Sequence, residues 1–179
     1  MGTSAAEHDE DETTIVVSTG RAALEGTHAV PADAAGVVLF AHGSGSSRHS
    51  PRNRMVAAQL RRVGLATLLL DLLSAEEEAV DACTATLRFD IGLLARRLAA
   101  ATDWLAGHEP TRGLPLGYFG ASTGAAAALI AAAERPEVVG AVVSPRRTPR
   151  SRWGGARRSV CADAVDRGWQ RPRRGRMQP

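Results

Sequence analysis

The residues best suited to chemistry are five in a row, Gly120-Ala121-Ser122-Thr123-Gly124. They follow a short apolar run, Leu116–Phe119, and precede an alanine-rich stretch reaching Ala133, so a Gly-x-Ser-x-Gly pattern stands between a strand and a helix. On such a turn the serine is pushed out of the sheet with its hydroxyl exposed, and the next backbone N–H points into the same space. Gly120 and Gly124 are expected where a Cβ would collide with strand or helix. Ser122 is therefore the candidate nucleophile, against the plainer alternative of a tight turn that only packs helix on strand.

A serine nucleophile needs donors for the oxyanion and a base for its proton. One donor would be the Thr123 N–H. The second would come from the small-residue loop His42-Gly43-Ser44-Gly45, with the Ser44 N–H the best placed. The same loop could in principle cradle a phosphate, but the chain has no lysine and neither G-x-x-x-x-G-K-[ST] nor G-x-G-x-x-G occurs. His42, at the end of an apolar strand, is expected to prop the loop by hydrogen bonding rather than to serve as base. His49 reads as a surface residue or a substrate contact. His8, His28 and His108 read as exposed loop or hairpin histidines. No histidine or cysteine spacing suggests a metal, and no cofactor is implied. Glu76, Glu77, Glu78 and Asp81 could be taken for paired acid–base carboxylates, but a solvated, acidic helix start accounts for them. Asp71 either orients a site group or caps a loop.

The elements that would position these residues follow from hydrophobic pattern. Thr14–Ser18 reads as a strand with a hairpin partner in Arg21–Val30. Gly36–Ala41 and Leu65–Asp71 are continuous apolar runs, as in strands buried on both faces of a parallel sheet. Asn53–Val63 has helical spacing and stops at Gly64. Leu72–Thr84 reads as an irregular acidic excursion. Thr86–Leu105 reads as one long amphipathic helix with Leu87, Ile91, Leu94, Leu98 and Ala101 on one face. Pro136 ends the helix after Ser122, and Val138–Val143 reads as a further buried strand. The alternation predicts an α/β fold: a parallel, doubly wound sheet with helices on both faces.

Charge divides the chain. Up to Val143 there are 11 arginines against 17 acidic residues, a net −6; from Ser144 onward there are 11 arginines against 2 aspartates, a net +9. This predicts a disordered segment 1–13, an α/β domain over 14–143, and an arginine-rich tail without periodicity over 144–179. The tail matches no nucleic-acid-binding motif and nucleic acid is not an expected partner, although a non-catalytic scaffold with a polyanion-binding tail is the alternative reading. No apolar run approaches a membrane span, and the acidic N-terminus is no secretory signal, so a cytoplasmic protein is expected.

Residues 36–143 resemble the α/β-hydrolase superfamily, and more narrowly its dienelactone-hydrolase-like branch, through VVLFAHGSGSSRHSPRN, LLLDLLSAEEE, RFDIGLL and GYFGASTGAAAAL. The resemblance implies an ester- or lactone-like small-molecule substrate, a nucleophile at Ser122, and oxyanion N–H groups from Thr123 and Ser44. Dienelactone hydrolase itself uses cysteine, so the serine points to an esterase-like relative. The resemblance also implies an acid and then a histidine later in the chain. No histidine follows Ser122, and the carboxylates after Glu137 are Asp163 and Asp166. The chain therefore reads as truncated or frameshifted after about Val143. A reading frame one nucleotide later permits Ala-Pro-Thr-Leu-Leu-Ile-Val-Gly-Gly over Cys161–Trp169 and an aspartate at Arg171. An impaired enzyme, or a fragment that aggregates through an open sheet edge, is expected.

Overall fold

The structure is a computed structural model that describes residues 12–20 and 22–145; the expected N-terminal segment 1–13 falls almost wholly, and the basic tail almost wholly, outside them. Six strands form one sheet in the order β1-β2-β4-β3-β5-β6. They are β1 (Thr13–Thr19), β2 (Ala22–Ala29), β3 (Gly36–Ala41), β4 (Leu65–Leu70), β5 (Leu116–Gly120) and β6 (Val139–Val143). The pairs β4–β3, β3–β5 and β5–β6 are parallel, whereas β1–β2 and β2–β4 are antiparallel. The sheet is thus parallel at its centre, with an antiparallel hairpin on one side.

The period-2 alternation of the strands divides the core. Val37, Leu39 and Ala41 of β3 and Ala66, Leu68 and Leu70 of β4 join one buried cluster, while Phe40 and Leu69 join another. The first cluster is closed by helices α3 (Ile91–Gly107) and α4 (Thr123–Glu134), through Leu94, Leu98, Leu105, Ala127, Ala128 and Ala131. The second is closed by α1 (Pro51–Arg62) through Ala57. Helices cover both faces, as the doubly wound reading requires. The alanines of α4 let it lie close to the sheet.

Three expectations need correcting. The acidic stretch after β4 is not irregular: Ala75–Thr84 is a helix, α2. Ser74 caps it, accepting the Glu77 N–H while the Glu77 carboxylate accepts the Ser74 N–H, and the three glutamates occupy the turn where a helix favours negative charge. The long helix expected over Thr86–Leu105 is interrupted. Leu87–Phe89 is a 3-10 turn and α3 begins at Ile91, with Asp90 accepting the Leu93 N–H. Asp81 draws the Leu87 and Arg88 N–H groups to its own Oδ1 at 2.7 and 3.2 Å, which takes them out of any continuous helix. Finally, among the described residues β6 is an edge strand, not a buried one. Only Val139 is buried, and Gly140, Ala141 and Val143 are exposed.

Candidate active site

The sharpest local signal is the backbone at Ser122. It has φ 52° and ψ −121°, one of two non-glycine residues with positive φ among the described residues, the other being the helix-capping Ala85. An L-residue held there costs on the order of 1–3 kcal/mol, and the surroundings must over-determine it. They do so through the flanking glycines. A Cβ on Gly120 would lie 2.8 Å from the Ala125 Cα, and one on Gly124 would overlap the carbonyl oxygens of Ala41 and His42. A Cβ on Gly43 would meet the Ala121 oxygen at 3.0 Å and the Ser122 Cβ at 3.2 Å. The turn after β5 and the loop after β3 are therefore packed backbone to backbone. Gly45 is required for a different reason: it has open space around it but a φ of +74°. Ser122 is exposed, and its side chain makes no hydrogen bond at the start of α4.

The loop after β3 is fixed by a buried histidine. His42 Nε2 accepts the Leu72 N–H at 3.1 Å, so Nδ1 carries the ring proton and donates to the Gly43 carbonyl at 3.0 Å. The Ser46 N–H donates to the same carbonyl at 3.1 Å. A trans peptide sends its C=O and N–H in opposite directions, so holding the Gly43 oxygen aims the Ser44 N–H. That N–H donates to Thr123 Oγ1 at 3.0 Å. Both ring nitrogens of His42 are committed to backbone. Ser44 and Thr123 do come together, but through the threonine side chain, which the pattern alone did not suggest.

Asp71 caps the loop. Its Oδ1 accepts the Arg48 N–H at 2.6 Å and its Oδ2 takes the Arg48 guanidinium, which also reaches Glu25 of β2 at 2.5 Å. His42 Nε2 lies 4.0 Å from Asp71. His49 is exposed on the same loop. The far wall is tied down as well. Arg97 of α3 donates to the Leu72 carbonyl at 2.6 Å and to both oxygens of Glu77. The Arg97 guanidinium holds the Glu77 carboxyl below the usual carboxylate range. Asp81 is the exception to the solvated reading of the acidic stretch, being 2% exposed. Burial pushes its carboxyl up, but hydrogen bonds from Arg88 and from the Leu87 and Arg88 N–H groups prevail and hold it low. Glu77 and Asp81 are thus structural carboxylates, each saturated by arginine.

Between these walls lies a cavity of about 320 Å³, lined on one side by His42 to Ser47 and Thr123 and on the other by Leu72, Leu73, Glu78, Asp81, Arg88 and Leu94. His28, expected on the surface, is buried and lines a different cavity. Its Nε2 has no partner, and its ring meets Trp104 and His108 edge-on. His8 lies outside the described residues. No described helix is long and apolar enough to cross a membrane.

Known structures carry the same framework. The chain is 62% identical to a dienelactone hydrolase from Anabaena variabilis, with a TM-score of 0.73 over 74% of this chain and 62% of that one. It has the α/β-hydrolase fold and is similar to this dienelactone hydrolase over the part of the fold that it covers. A dienelactone hydrolase-like promiscuous phosphotriesterase from metagenomic libraries shares this α/β-hydrolase fold at 17% identity, with a TM-score of 0.61 over 74% of this chain and 57% of that one. Two proteins of Mycobacterium tuberculosis strains, provisionally named phosphoribosyl transferases, are 55% identical over 134 residues, which is 75% of this chain. The chain spans 29% of the length of these curated relatives and 62% of the Anabaena hydrolase. No family model matches it.

Proposed function

We propose that the chain carries the nucleophile half of a serine-hydrolase site for an ester or related acyl bond in a small, lactone-like substrate. Ser122 is the nucleophile, and the oxyanion is met by the Thr123 N–H together with the Ser44 end of the loop after β3. The observation that carries this reading is the Ser122 backbone, φ 52° and ψ −121°, clamped between glycines that admit no side chain. The Thr123 N–H supports it too, because the first residue of a helix has no intrahelical acceptor for its N–H.

The base is the weak point. His42 is spent on backbone, His28 is buried elsewhere, and no histidine follows Ser122 in the sequence. These 179 residues by themselves are therefore expected to turn over slowly, their residual rate coming from binding and oxyanion stabilisation. The transferase name of the mycobacterial proteins is not carried over. The shared segment is 29% of each, and it lacks lysine and the glycine patterns of phosphate cradles. A reducing, cytoplasmic setting belongs to the same reading.

The test is covalent labelling by a fluorophosphonate alongside p-nitrophenyl ester turnover. Slow labelling that disappears in Ser122→Ala, with little turnover above buffer, is the expected result. Fast turnover abolished by that substitution would overturn the impairment, and labelling that survives it would overturn Ser122 as nucleophile.

A further inference from the structure

Resting on the reading of Ser122 as nucleophile, we propose that the Thr123 hydroxyl is itself an oxyanion donor, with the Ser44 N–H acting behind it. Thr123 would then present two donors from one residue, its N–H and its Oγ–H.

The Ser44 N–H is already used. It donates to Thr123 Oγ1 at 3.0 Å, and the peptide that bears it is held by His42 and Ser46 through the Gly43 oxygen. Freeing it would mean turning the threonine side chain away. A hydroxyl that accepts a hydrogen bond keeps its own proton, and among the described residues that proton has no other partner. Thr123, the residue after Ser122, also lines the cavity, of which Ser122 itself is not a lining residue. Donation by Ser44 polarises the hydroxyl and strengthens its outgoing bond. The two donors stand at the positive end of the 12-residue helix α4, which favours negative charge at the same point. No proton is transferred in this arrangement. As Ser122 Oγ attacks, the charge growing on the carbonyl oxygen is met by two hydrogen bonds already in place.

The competing arrangement makes the hydroxyl a plug: it swings aside on binding and exposes the Ser44 N–H. The two are separated with butyrate, which resembles an ester product and occupies an oxyanion site without needing a base. Amide NMR titration of the full chain is carried out for wild type, Thr123→Val, which keeps shape and loses the hydroxyl, and Thr123→Ser, which keeps it. Thr123→Ala removes the hydroxyl without adding a methyl, and stands in should the valine variant fail to give a dispersed spectrum. The expected result is butyrate binding weakened about 10-fold in Thr123→Val and Thr123→Ala, the size of one lost hydrogen bond to a charged group, and restored to within about threefold by Thr123→Ser. A purely structural role for the hydroxyl would instead lower the urea midpoint and leave affinity unchanged. Binding as tight as wild type, or tighter, in the hydroxyl-free variants would overturn the proposal in favour of the plug, and absence of butyrate binding to wild type would overturn it outright. Failure of the nucleophile reading has a separate signature: butyrate binding that depends on the hydroxyl, in a protein that no fluorophosphonate labels.

Discussion

Two histidines at strands two apart in the sheet order have opposite fates. His42, at the end of β3, is 9% exposed and has a backbone partner on each ring nitrogen. His28, near the end of β2, is 5% exposed and leaves Nε2 with none, packed against Trp104 and His108 beside a cavity of about 750 Å³. The first is built into a rim whose framework groups are paired: His42 aims a peptide, Asp71 caps a loop, Arg97 and Glu77 pin the opposite wall. Among the groups left uncommitted there are the Ser122 hydroxyl and the Thr123 proton, which the chemistry would need. The second histidine only fills space. Saturated polar groups give a site its geometry; an unsatisfied one gives nothing but a cost, and that cost depends on pH.

The comparison can be broken most forcefully at Gly124. Its substitution by alanine drives a Cβ into the Ala41 and His42 carbonyl oxygens, neither of which belongs to a flexible side chain. A loss of about 3 kcal/mol or more, measured as a drop in the urea midpoint, or failure to yield soluble protein, is expected. A mild effect would mean that elbow and loop are not locked together. Next comes His42→Ala, which strands the buried Leu72 N–H and frees the Gly43 oxygen. It should destabilise by about 1–3 kcal/mol and also slow fluorophosphonate labelling of Ser122. Loss of stability with unchanged labelling would deny His42 its aiming role.

The second histidine is probed by acid. Burial, and then the neighbouring His108, lower the His28 pKa from 6.5 to about 4. Between those values the unfolded chain binds more protons than the folded one. The contribution of His28 is therefore complete above pH 6.5 and is lost as pH falls toward 4. A fall on the order of 1–2 kcal/mol in unfolding free energy across that window is expected, reduced from the full linkage value because solvent reaches part of the cluster. In His28→Leu this part of the pH dependence should vanish, and an unchanged slope would assign it to other groups. The smallest effect is that of the same substitution at pH 7.5, where removing an unsatisfied nitrogen should change stability by less than about 1 kcal/mol.

How much of this was legible in the sequence varies with the range of the interaction. The strands Gly36–Ala41 and Leu65–Leu70 and the elbow with its two glycines could be read directly, because each is written in a contiguous apolar run or a local steric rule. The capping box of α2 was present as Ser74 and Glu77 three residues apart, a signal that could have replaced the irregular reading. The break before α3 was not legible. It depends on Asp81, buried and bonded to Arg88, taking two N–H groups from a stretch whose own periodicity runs straight through. The burial of His28 was equally hidden, since it needs Trp104 of α3 and His108 just after that helix to close over a strand residue.

By itself the sequence determined the class of fold, the place of Ser122 and the absence of any histidine after it, because local sterics, hydrophobic period and composition are properties of short segments or of the whole list. Only the tertiary structure decided what each polar group has left to give. The proton of His42, the direction of the Ser44 N–H and the uncommitted hydroxyl of Thr123 depend on partners 30 and 79 positions away, brought within hydrogen-bond distance when β3, β4 and β5 pair. Hydrogen bonds are short-ranged and directional, so their bookkeeping closes only once the chain has folded.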